Sequence, residues 1–314
     1  MAFVFGIDVG GSSCKLGLFG QEGNLLFQGH FLTGKGRKPE ELIQIISGEM
    51  QKAMDFLQAN KKNLMGIGIG FPGPVTDQSQ VHGCVNFGWE NFNAQRGLEE
   101  IWKVPVKAEN DANLAALGEG WKGAGASFDS FIFLALGTGI GAGLVYEKRL
   151  IRGERGGAGE VGHMPIFTDK KTGQVRDLES LASANAMADL ARKKLYDGAL
   201  PSSLRDFEKE LSARRIVKEA MKKDPLACEI LQETADHLGQ GLACISAVFD
   251  PQAFILGGGM SLAGDRLLKP TLEAYQKYVF PPLKGTPILL SSLGDRAGMF
   301  GAARYILGEG NFPC

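Results

Sequence analysis

The chain opens with three short apolar runs, at residues 3–9, 13–19 and 25–33, and each run is followed by glycine. Apolar runs of this length that are bounded by turn residues are typical of buried β-strands, so the pattern predicts a β-meander. From Pro39 the apolar positions change to helical spacing, which predicts a helix that continues to about residue 57.

The same order of strand, glycine turn and strand returns at 130–146, where four glycines occupy the turn at 137–143. This repetition predicts a mixed α/β protein that is internally duplicated, with a glycine-turn hairpin at the start of each half. The remaining helices are predicted at about 111–121, 180–197, 212–223, 226–249, 264–278 and 297–307. The remaining strands are predicted at 64–70, 104–108, 253–256 and 287–291.

Composition excludes several classes of protein. With 34 basic and 35 acidic residues the net charge is −1, which argues against binding to nucleic acid or to a membrane surface. The five cysteines are scattered without a C-x-x-C pair, and no targeting segment is visible, so we expect reduced thiols and a cytoplasmic protein. Glycine, with 44 residues, has about twice its usual share, which favours tight turns and close approach of backbone to a ligand.

The first candidate site lies at 8–15, where the sequence is DVGGSSCK. Asp8 ends a predicted strand, and a glycine turn, two hydroxyls and Lys15 follow it. Successive backbone N–H groups in such a turn bind anions, and one carboxylate is enough to hold Mg²⁺ through water. The alternative is a plain hairpin turn with an exposed aspartate and lysine.

Two further glycine segments are candidates for the same kind of contact. Gly137, Thr138 and Gly139 begin a turn in which glycine alternates with other residues. Glycine destabilises a strand by about 0.5–1 kcal/mol, so its repeated use suggests a closely approaching ligand rather than a sharply twisted hairpin. Gly258 and Gly259 follow a predicted strand and would let a ligand lie against the backbone.

Polar side chains form the other candidates. Asn110 and Asp111 lie between a predicted strand and an alanine-rich helix, where either residue is also a good helix cap. Glu160 and His163 lie among glycines, which favours a site over a solvated loop. Glu179 begins a predicted helix, where a carboxylate also stabilises the helix start.

Taken in order, these motifs resemble the ROK family of sugar kinases (repressors, open reading frames and kinases), and among them bacterial glucokinases most of all. The matching segments are 8–15, 70–75, 85–89, 109–119, 137–144, 159–163, 178–183, 254–261 and 297–303, and the stretch 86–91 is the one close to glucokinases. The resemblance implies a duplicated, actin-like α/β fold with two ribonuclease-H-like domains and a central cleft. We expect a small domain at 1–111 plus 300–314 and a large domain at 112–299.

The resemblance also implies the roles of the candidate residues. Asp111 is expected to be the general base that takes the proton of the sugar 6-hydroxyl, as ATP-dependent phosphorylation of a hexose such as glucose requires. The expected sugar-binding residues are Asn86, Asn110, Glu160, His163 and Glu179. Asp8 is expected to serve the Mg²⁺ that accompanies ATP. The expected phosphate and nucleoside contacts are Gly10, Gly11, Ser12, Lys15, Gly137, Thr138, Gly139, Gly258 and Gly259. A homodimer is usual for this resemblance.

The chain departs from the family pattern after His163. Most members have three cysteines there that bind zinc together with the histidine, but residues 164–178 contain no cysteine. We therefore expect no zinc site, with His163 oriented by a backbone carbonyl or by a carboxylate such as Asp177.

Several other functions are compatible with the sequence. One alternative is a kinase for fructose, mannose or an N-acetylhexosamine, and another is an actin-like ATPase that is not a kinase. Polyphosphate is a possible donor, although no basic stripe is visible. A ROK repressor is not expected, because Asp8 already belongs to the kinase core and leaves no room before it for a winged helix.

Overall fold

The computed structural model describes residues 2–34, 36–75, 80–84, 88–168, 170, 172–198 and 200–308. At 80–84, 90, 91 and 94 the description covers the backbone alone. The predicted Asn86 lies outside the described residues. The chain divides into two compact units, one formed by Met1–Phe133, Gly143–Gly159 and Ser292–Cys314 and the other by Leu134–Ala142 and Glu160–Ser291. The domain boundaries expected from the sequence stay a prediction.

Helices and strands alternate along most of the chain. The strands are β1 (Phe3–Val9), β2 (Ser13–Gly20), β3 (Leu25–Leu32), β4 (Leu64–Phe71), β5 (Gln80–Cys84), β6 (Trp89–Asn93), β7 (Val106–Asn110), β8 (Phe131–Leu136), β9 (Ile140–Tyr146), β10 (Arg149–Ile151), β11 (Pro165–Thr168), β12 (Val175–Asp177), β13 (Ala253–Gly257) and β14 (Ile288–Leu290). The helices are α1 (Pro39–Phe56), α2 (Ala94–Trp102), α3 (Asp111–Lys122), α4 (Leu178–Ala182), α5 (Ala184–Asp197), α6 (Ala213–Met221), α7 (Pro225–Phe249), α8 (Asp265–Tyr278) and α9 (Ala297–Leu307). In the described part of the chain, each helix is too short or too polar to cross a membrane.

Two five-stranded sheets share one topology. The first has the strand order β3-β2-β1-β4-β7, and the second has the order β10-β9-β8-β13-β14. When the strands of each sheet are numbered along the chain, both orders become 3-2-1-4-5. The internal duplication predicted from the glycine-turn hairpins is therefore confirmed.

The first sheet combines a meander with parallel strands. β1 pairs with β2 in antiparallel register and with β4 in parallel register, and β4 pairs in parallel with β7. Strand β1 is an apolar run because both faces of a parallel sheet are covered. Apolar residues of α1 and α2 pack on one face of this sheet, and Ile46, Met50 and Leu98 are fully buried there.

Glycines bring helix α9 very close to the first sheet. A Cβ atom added to Gly6 in β1 would lie 2.1 Å from the Met299 carbonyl oxygen. One added to Gly68 in β4 would lie 1.8 Å from the Ala302 carbonyl oxygen. Both separations are far below van der Waals contact, so a larger residue in either strand would push the helix away.

The same helix crosses α3 through a second pair of glycines. A Cβ atom on Gly118 of α3 would lie 2.1 Å from the Ala297 carbonyl oxygen, and one on Gly301 of α9 would lie 1.7 Å from the Leu114 carbonyl oxygen. The Gly301-Ala302-Ala303 segment is therefore a site of close helix packing.

The structure corrects some details of the sequence prediction. The segment predicted as one helix at 180–197 is two helices, α4 and α5, because the Ser183 hydroxyl caps a new helix by accepting the Ala186 N–H. The predicted turn at 137–143 ends early, since β9 already begins at Ile140. The hairpins β5–β6 and β11–β12 and helix α2 were not predicted, because each strand has at most five residues and the helix only nine, too few to establish a period.

Gly301→Ala is expected to lower the free energy of unfolding by about 1–3 kcal/mol, because the added methyl has no space against α3. Gly48→Ala is the matched control, since Gly48 lies within α1 with no atom within 4 Å of an added Cβ. There alanine is expected to stabilise by about 0.5–1 kcal/mol. Chemical denaturation of both variants measures the two changes, and the same sign for both would contradict the close crossing.

Candidate active site

Polar residues of the first unit lie at the carboxyl-terminal ends of neighbouring strands in the first sheet. Asp8 near the end of β1 pairs in register with Gly70 of β4, and Gly70 pairs with Glu109 of β7. The next residue along β4, Phe71, pairs with Asn110. With a spacing of about 4.8 Å between strands, the backbones of Asp8 and Glu109 are about 10 Å apart. Gly70 presents no side chain in the interval between them.

The turn after β1 is held from the neighbouring strand. The Gly10 N–H donates to the Ser13 carbonyl (2.9 Å), and the Thr33 hydroxyl donates to the Gly10 carbonyl (3.3 Å). Gly11 is partly exposed and Ser12 is exposed in this turn. The turn therefore leaves the predicted phosphate-binding positions accessible on a fixed backbone.

Asp8 is an unusual residue for the end of a buried strand. An added Cβ at Gly298, in the first turn of α9, would lie 2.6 Å from its Cγ, so the carboxyl rests directly on that glycine. Burial raises the pKa of Asp8 to about 6, against the attraction of Lys15, and Asp295 adds to the increase. Lys15 Nζ lies 3.6 Å from Asp295 Oδ2. Asp8 is half-buried, which is not the exposed aspartate of a plain hairpin.

Asn110 and Asp111 begin helix α3. The Asn110 Oδ1 accepts the Asn113 N–H (3.0 Å), which caps the helix, and the Asn110 Nδ2 donates to the Gly73 carbonyl (3.1 Å). Asp111 is the first residue of the helix, and its Oδ1 accepts the Ala112 N–H (2.8 Å). The capping role that the sequence left open thus belongs to Asn110, and it fixes the position of Asp111.

The second unit holds the other candidate residues, and Glu179 makes their best-defined contact. Its Oε2 accepts the Ile140 N–H (2.8 Å). A Cβ on Gly139 would lie 2.3 Å from the same oxygen, and one on Gly162 would lie 2.3 Å from the Ile140 carbonyl oxygen. The glycines at 139 and 162 are therefore required for Glu179 to approach the turn that follows β8.

The turn of Gly137 to Gly139 is also held from α5. The Ala184 N–H donates to the Gly137 carbonyl, and the Gly137 N–H donates to the Gly139 carbonyl (both 2.9 Å). Thr138 is exposed at the tip. This arrangement presents the tip of the turn on a rigid base.

The backbone conformation and packing at position 258 require glycine. Its φ is +79°, and an added Cβ would lie 2.5 Å from the Leu136 carbonyl oxygen at the end of β8. At Gly259, by contrast, no atom lies within 4 Å of an added Cβ. Gly258 is needed for packing, whereas Gly259 has open space beside it.

Asp177 stands next to His163. The distance from His163 Nδ1 to Asp177 Oδ2 is 3.8 Å, and the Asp177 Oδ1 accepts the Ser180 N–H (2.8 Å) at the start of α4. Burial alone would raise the pKa of Asp177, but the Ser180 hydrogen bonds and His163 outweigh it and lower that pKa. Asp177 therefore stands where the sequence analysis expected a carboxylate partner for His163, at ion-pair distance.

The hairpin β11–β12 follows His163 closely in the sequence. Arg176 Nε donates to the Ser180 hydroxyl (3.3 Å), and the Ser180 hydroxyl donates to the Asp177 carbonyl (2.9 Å). His163 is largely exposed, and among the described residues no three histidine, cysteine or carboxylate side chains cluster as a metal site requires. Among the described residues of 163–178, His163 and Asp177 are the side chains of a kind that binds zinc, and the absence of a zinc site stays a prediction.

A cavity of about 580 Å³ opens within the second unit. Thr138 and Glu179, two of the predicted site residues, line it together with Arg176, Asp177 and Ser183. Glu160 lies outside this lining and is exposed before the short 3₁₀ turn of Val161–His163. The cavity therefore joins the predicted phosphate turn to one predicted sugar-binding residue.

Sequence reasoning missed Arg152. It precedes the glycine-rich segment 153–159, and its Nε lies 2.7 Å from Oε2 of the buried Glu109. A lone arginine before a glycine run carries no signal of its own, because its partner is distant in the sequence. The available hint was the charged Glu109 at the end of a predicted strand, directly before Asn110.

Comparison with known proteins decides the family. The chain matches the ROK family over residues 4–309. It belongs to the ROK family.

This ROK chain is similar to proteins of two kinds. It is 32% identical to a glucokinase of Halalkalibacterium halodurans, over 98% of this chain and 95% of the glucokinase. It is 28% identical to a xylose repressor of Caldicellulosiruptor bescii, over 98% of this chain and 78% of the repressor. Among solved structures, a ROK family glucokinase of Streptomyces griseus in complex with glucose and AMPPNP superimposes with a TM-score of 0.81 at 29% identity, over 97% of this chain and 99% of that one.

The family and the fold expected from the motifs are thus confirmed. The ROK sugar kinases have the actin-like fold of two domains, and the two equivalent sheets of this chain agree with it. The presence of both kinases and repressors among the relatives means that the family alone does not assign an activity.

Asp8→Asn is expected to stabilise the sugar-free protein at pH 7.5 by up to about 3 kcal/mol. The pKa of Asp8 is raised from 3.8 to about 6 in the folded protein, so ionisation is less favourable there than in the unfolded chain. The destabilisation of the folded parent protein by ionised Asp8 is absent below about pH 4, grows between about pH 4 and 6, and is complete above about pH 6.

Denaturation at pH 4 and pH 7.5 measures the difference between variant and parent at each pH. The exposed Asp206→Asn serves as the control and is expected to change stability by less than about 0.5 kcal/mol. A stabilisation by Asp8→Asn that is equal at both pH values would argue against a carboxyl that is hard to ionise in the folded protein.

The protein purified without chelator is expected to contain no stoichiometric zinc. Structural zinc takes four ligands, and the sequence of 163–178 offers one histidine, His163, and two aspartates, of which Asp177 already caps a helix. Elemental analysis by mass spectrometry provides the measurement, with a known zinc protein as the positive control. One zinc per chain would show that ligands outside this segment complete a site.

Proposed function

We propose that this ROK protein is a hexose kinase that transfers the γ-phosphoryl group of ATP to the 6-hydroxyl of glucose. The observation that carries the proposal is the strand register of the first sheet, where Asp8 near the end of β1 is in line with Gly70 and Glu109, the residue directly before Asn110 and Asp111. A phosphate-binding hairpin and a carboxylate for the acceptor hydroxyl are the two parts that phosphoryl transfer needs from a protein.

In this proposal Asp111 is the general base. It is the first residue of α3, and the Asn110 cap and the glycine crossing of α3 with α9 support a fixed position for it. A carboxylate within about 3 Å of the 6-hydroxyl takes its proton as the oxygen attacks phosphorus. Asn86 and Asn110 then contact other hydroxyls of the sugar.

Glu160, His163 and Glu179 are the proposed sugar contacts of the second unit. Glu179 uses Oε2 for the Ile140 N–H, which leaves Oε1 to accept from a sugar hydroxyl. Asp177 favours a His163 ring that is turned with Nδ1 toward the carboxylate and Nε2 away from it. A set of hydrogen-bonding groups of this kind rejects sugars that lack a hydroxyl, because the partner is left buried and unpaired.

Asp8 fits a role toward Mg²⁺ that is mediated by water. It is a single half-buried carboxylate beside a glycine turn, and Mg²⁺ binds through few carboxylates while it keeps several waters. When bound with ATP, the cation neutralises phosphate charge. The turns at Gly10–Gly11–Ser12 and Gly137–Thr138–Gly139, with Lys15, contact the phosphates in this proposal, and Gly258 and Gly259 contact the nucleoside.

A panel of hexoses tests the proposed substrate. ADP formation from Mg²⁺-ATP is measured with glucose, mannose, fructose, N-acetylglucosamine and N-acetylmannosamine, and with no sugar. We expect turnover that depends on hexose, with the highest kcat/KM for glucose. A higher value for another sugar would reassign the substrate, and ATP turnover that ignores sugar would instead indicate an actin-like ATPase.

Asp111→Asn is expected to lower kcat by about 10²–10⁴-fold with a small change in glucose affinity, because only proton removal is lost. Asp265→Asn is the matched control, since Asp265 is also the first residue of a helix but is exposed and pairs with Lys269. Steady-state kinetics and glucose titration measure the two effects. A kcat near that of the parent in Asp111→Asn would remove Asp111 from the chemistry.

A further inference from the structure

Glu109 is a buried carboxylate directly before Asn110 and the proposed general base Asp111. It is 1% exposed. Its Oε1 accepts two hydrogen bonds, from the Asn110 N–H (2.8 Å) and from the Asn113 Nδ2 (3.1 Å). Burial raises the pKa of Glu109, although Arg152 and these hydrogen bonds oppose the increase. Through these two hydrogen bonds, Glu109 fixes the Asn110 backbone and the Asn113 side chain at the start of α3.

Arg152 contacts the second carboxylate oxygen of Glu109 and also a backbone carbonyl of the first unit. Its Nε lies 2.7 Å from Glu109 Oε2, and its Nη2 donates to the Val75 carbonyl (3.4 Å). The Ala158 N–H donates to the Arg152 carbonyl (3.0 Å), which closes the segment 152–158 into a compact loop. Gly156 in this loop has a φ of +72°, and an added Cβ would lie 2.6 Å from the same Val75 carbonyl oxygen.

The pair is poorly explained as a stabilising device. Removing a carboxylate and a guanidinium from water costs about as much as their attraction returns, so two apolar residues would stabilise this position equally well. What the charged pair does supply is geometry. It joins the start of α3, which bears Asp111, to the glycine-rich loop that leads to Glu160 in the sequence.

We propose that Glu109 and Arg152 form a positioning pair that fixes Asp111 and the 152–158 loop for catalysis. The inference rests on the proposed kinase function for its kinetic part. Neither side chain is a catalytic residue, because both act through the residues that they hold. A reacting group misplaced by about 1 Å loses roughly 10²-fold in rate, so the loss of this pair is expected mainly in kcat.

The test uses Glu109→Gln, Arg152→Met and the double variant, with Arg149→Met as the matched control. Arg149 is an exposed arginine of β10, three positions before Arg152. Arg152→Met leaves the buried Glu109 without its charged partner, and we expect its melting temperature to fall by about 5 °C or more. Glu109→Gln removes the carboxylate beside a half-buried arginine, and we expect a smaller fall. The double variant removes both charges, so its melting temperature is expected to return toward that of the parent.

Kinetics separate positioning from charge balance. In the double variant kcat is expected to stay at least about tenfold below the parent, with a smaller change in KM. Arg152→Lys keeps the charge and is expected to retain more kcat than Arg152→Met. A double variant that recovers both its melting temperature and its kcat would overturn the proposal and leave a purely structural pair.

Hydrogen exchange gives a readout that does not depend on kinase activity. In the double variant the amides of 110–113 and 153–158 are expected to exchange at least about tenfold faster than in the parent, while Arg149→Met leaves them unchanged. If the parent turns over no hexose, the proposed function fails and this measurement alone decides. Unchanged exchange in both segments would overturn the positioning role.

Discussion

Helix α9 depends on glycine where it crosses β1, β4 and α3. Gly6 and Gly68 let it lie against the first sheet, and Gly118 faces it from α3. Its own Gly301 completes that crossing, and Gly298 leaves room for the Asp8 carboxyl. Protein interiors are close-packed, so a methyl group at any of these contacts forces the backbone to shift. The positions of Asp8 and of the start of α3 follow from this packing.

The same region holds groups that do not favour folding. Asp8 is difficult to ionise where it stands, and Glu109 is a carboxylate in the interior. Natural proteins break the rules of stable packing mostly at functional sites, where an unfavourable group does chemical work. The presence of two carboxylates that are unfavourable for folding at the ends of β1 and β7 therefore supports a functional site there.

The sequence was most informative where periodicity and glycine turns coincide. β1 and α3 follow directly from such patterns, and the duplication could be inferred from two hairpins alone. Arg152 could not be found in this way, because its partner Glu109 is distant in the chain and only folding brings the two together. The break at Ser183 is a local cap that the apolar period of the helix conceals. Asn86 lies outside the described residues, so its role stays a prediction.

ROK proteins use one fold both to phosphorylate sugars and to regulate transcription, so the central claim concerns chemistry rather than architecture. Phosphorus NMR of equimolar Mg²⁺-ATP and glucose, incubated with this protein, tests it most directly. We expect the γ-phosphate signal to be replaced by that of a sugar phosphate monoester, with one ADP formed for each. Release of inorganic phosphate in its place, or ATP that persists while glucose is bound, would contradict the central claim.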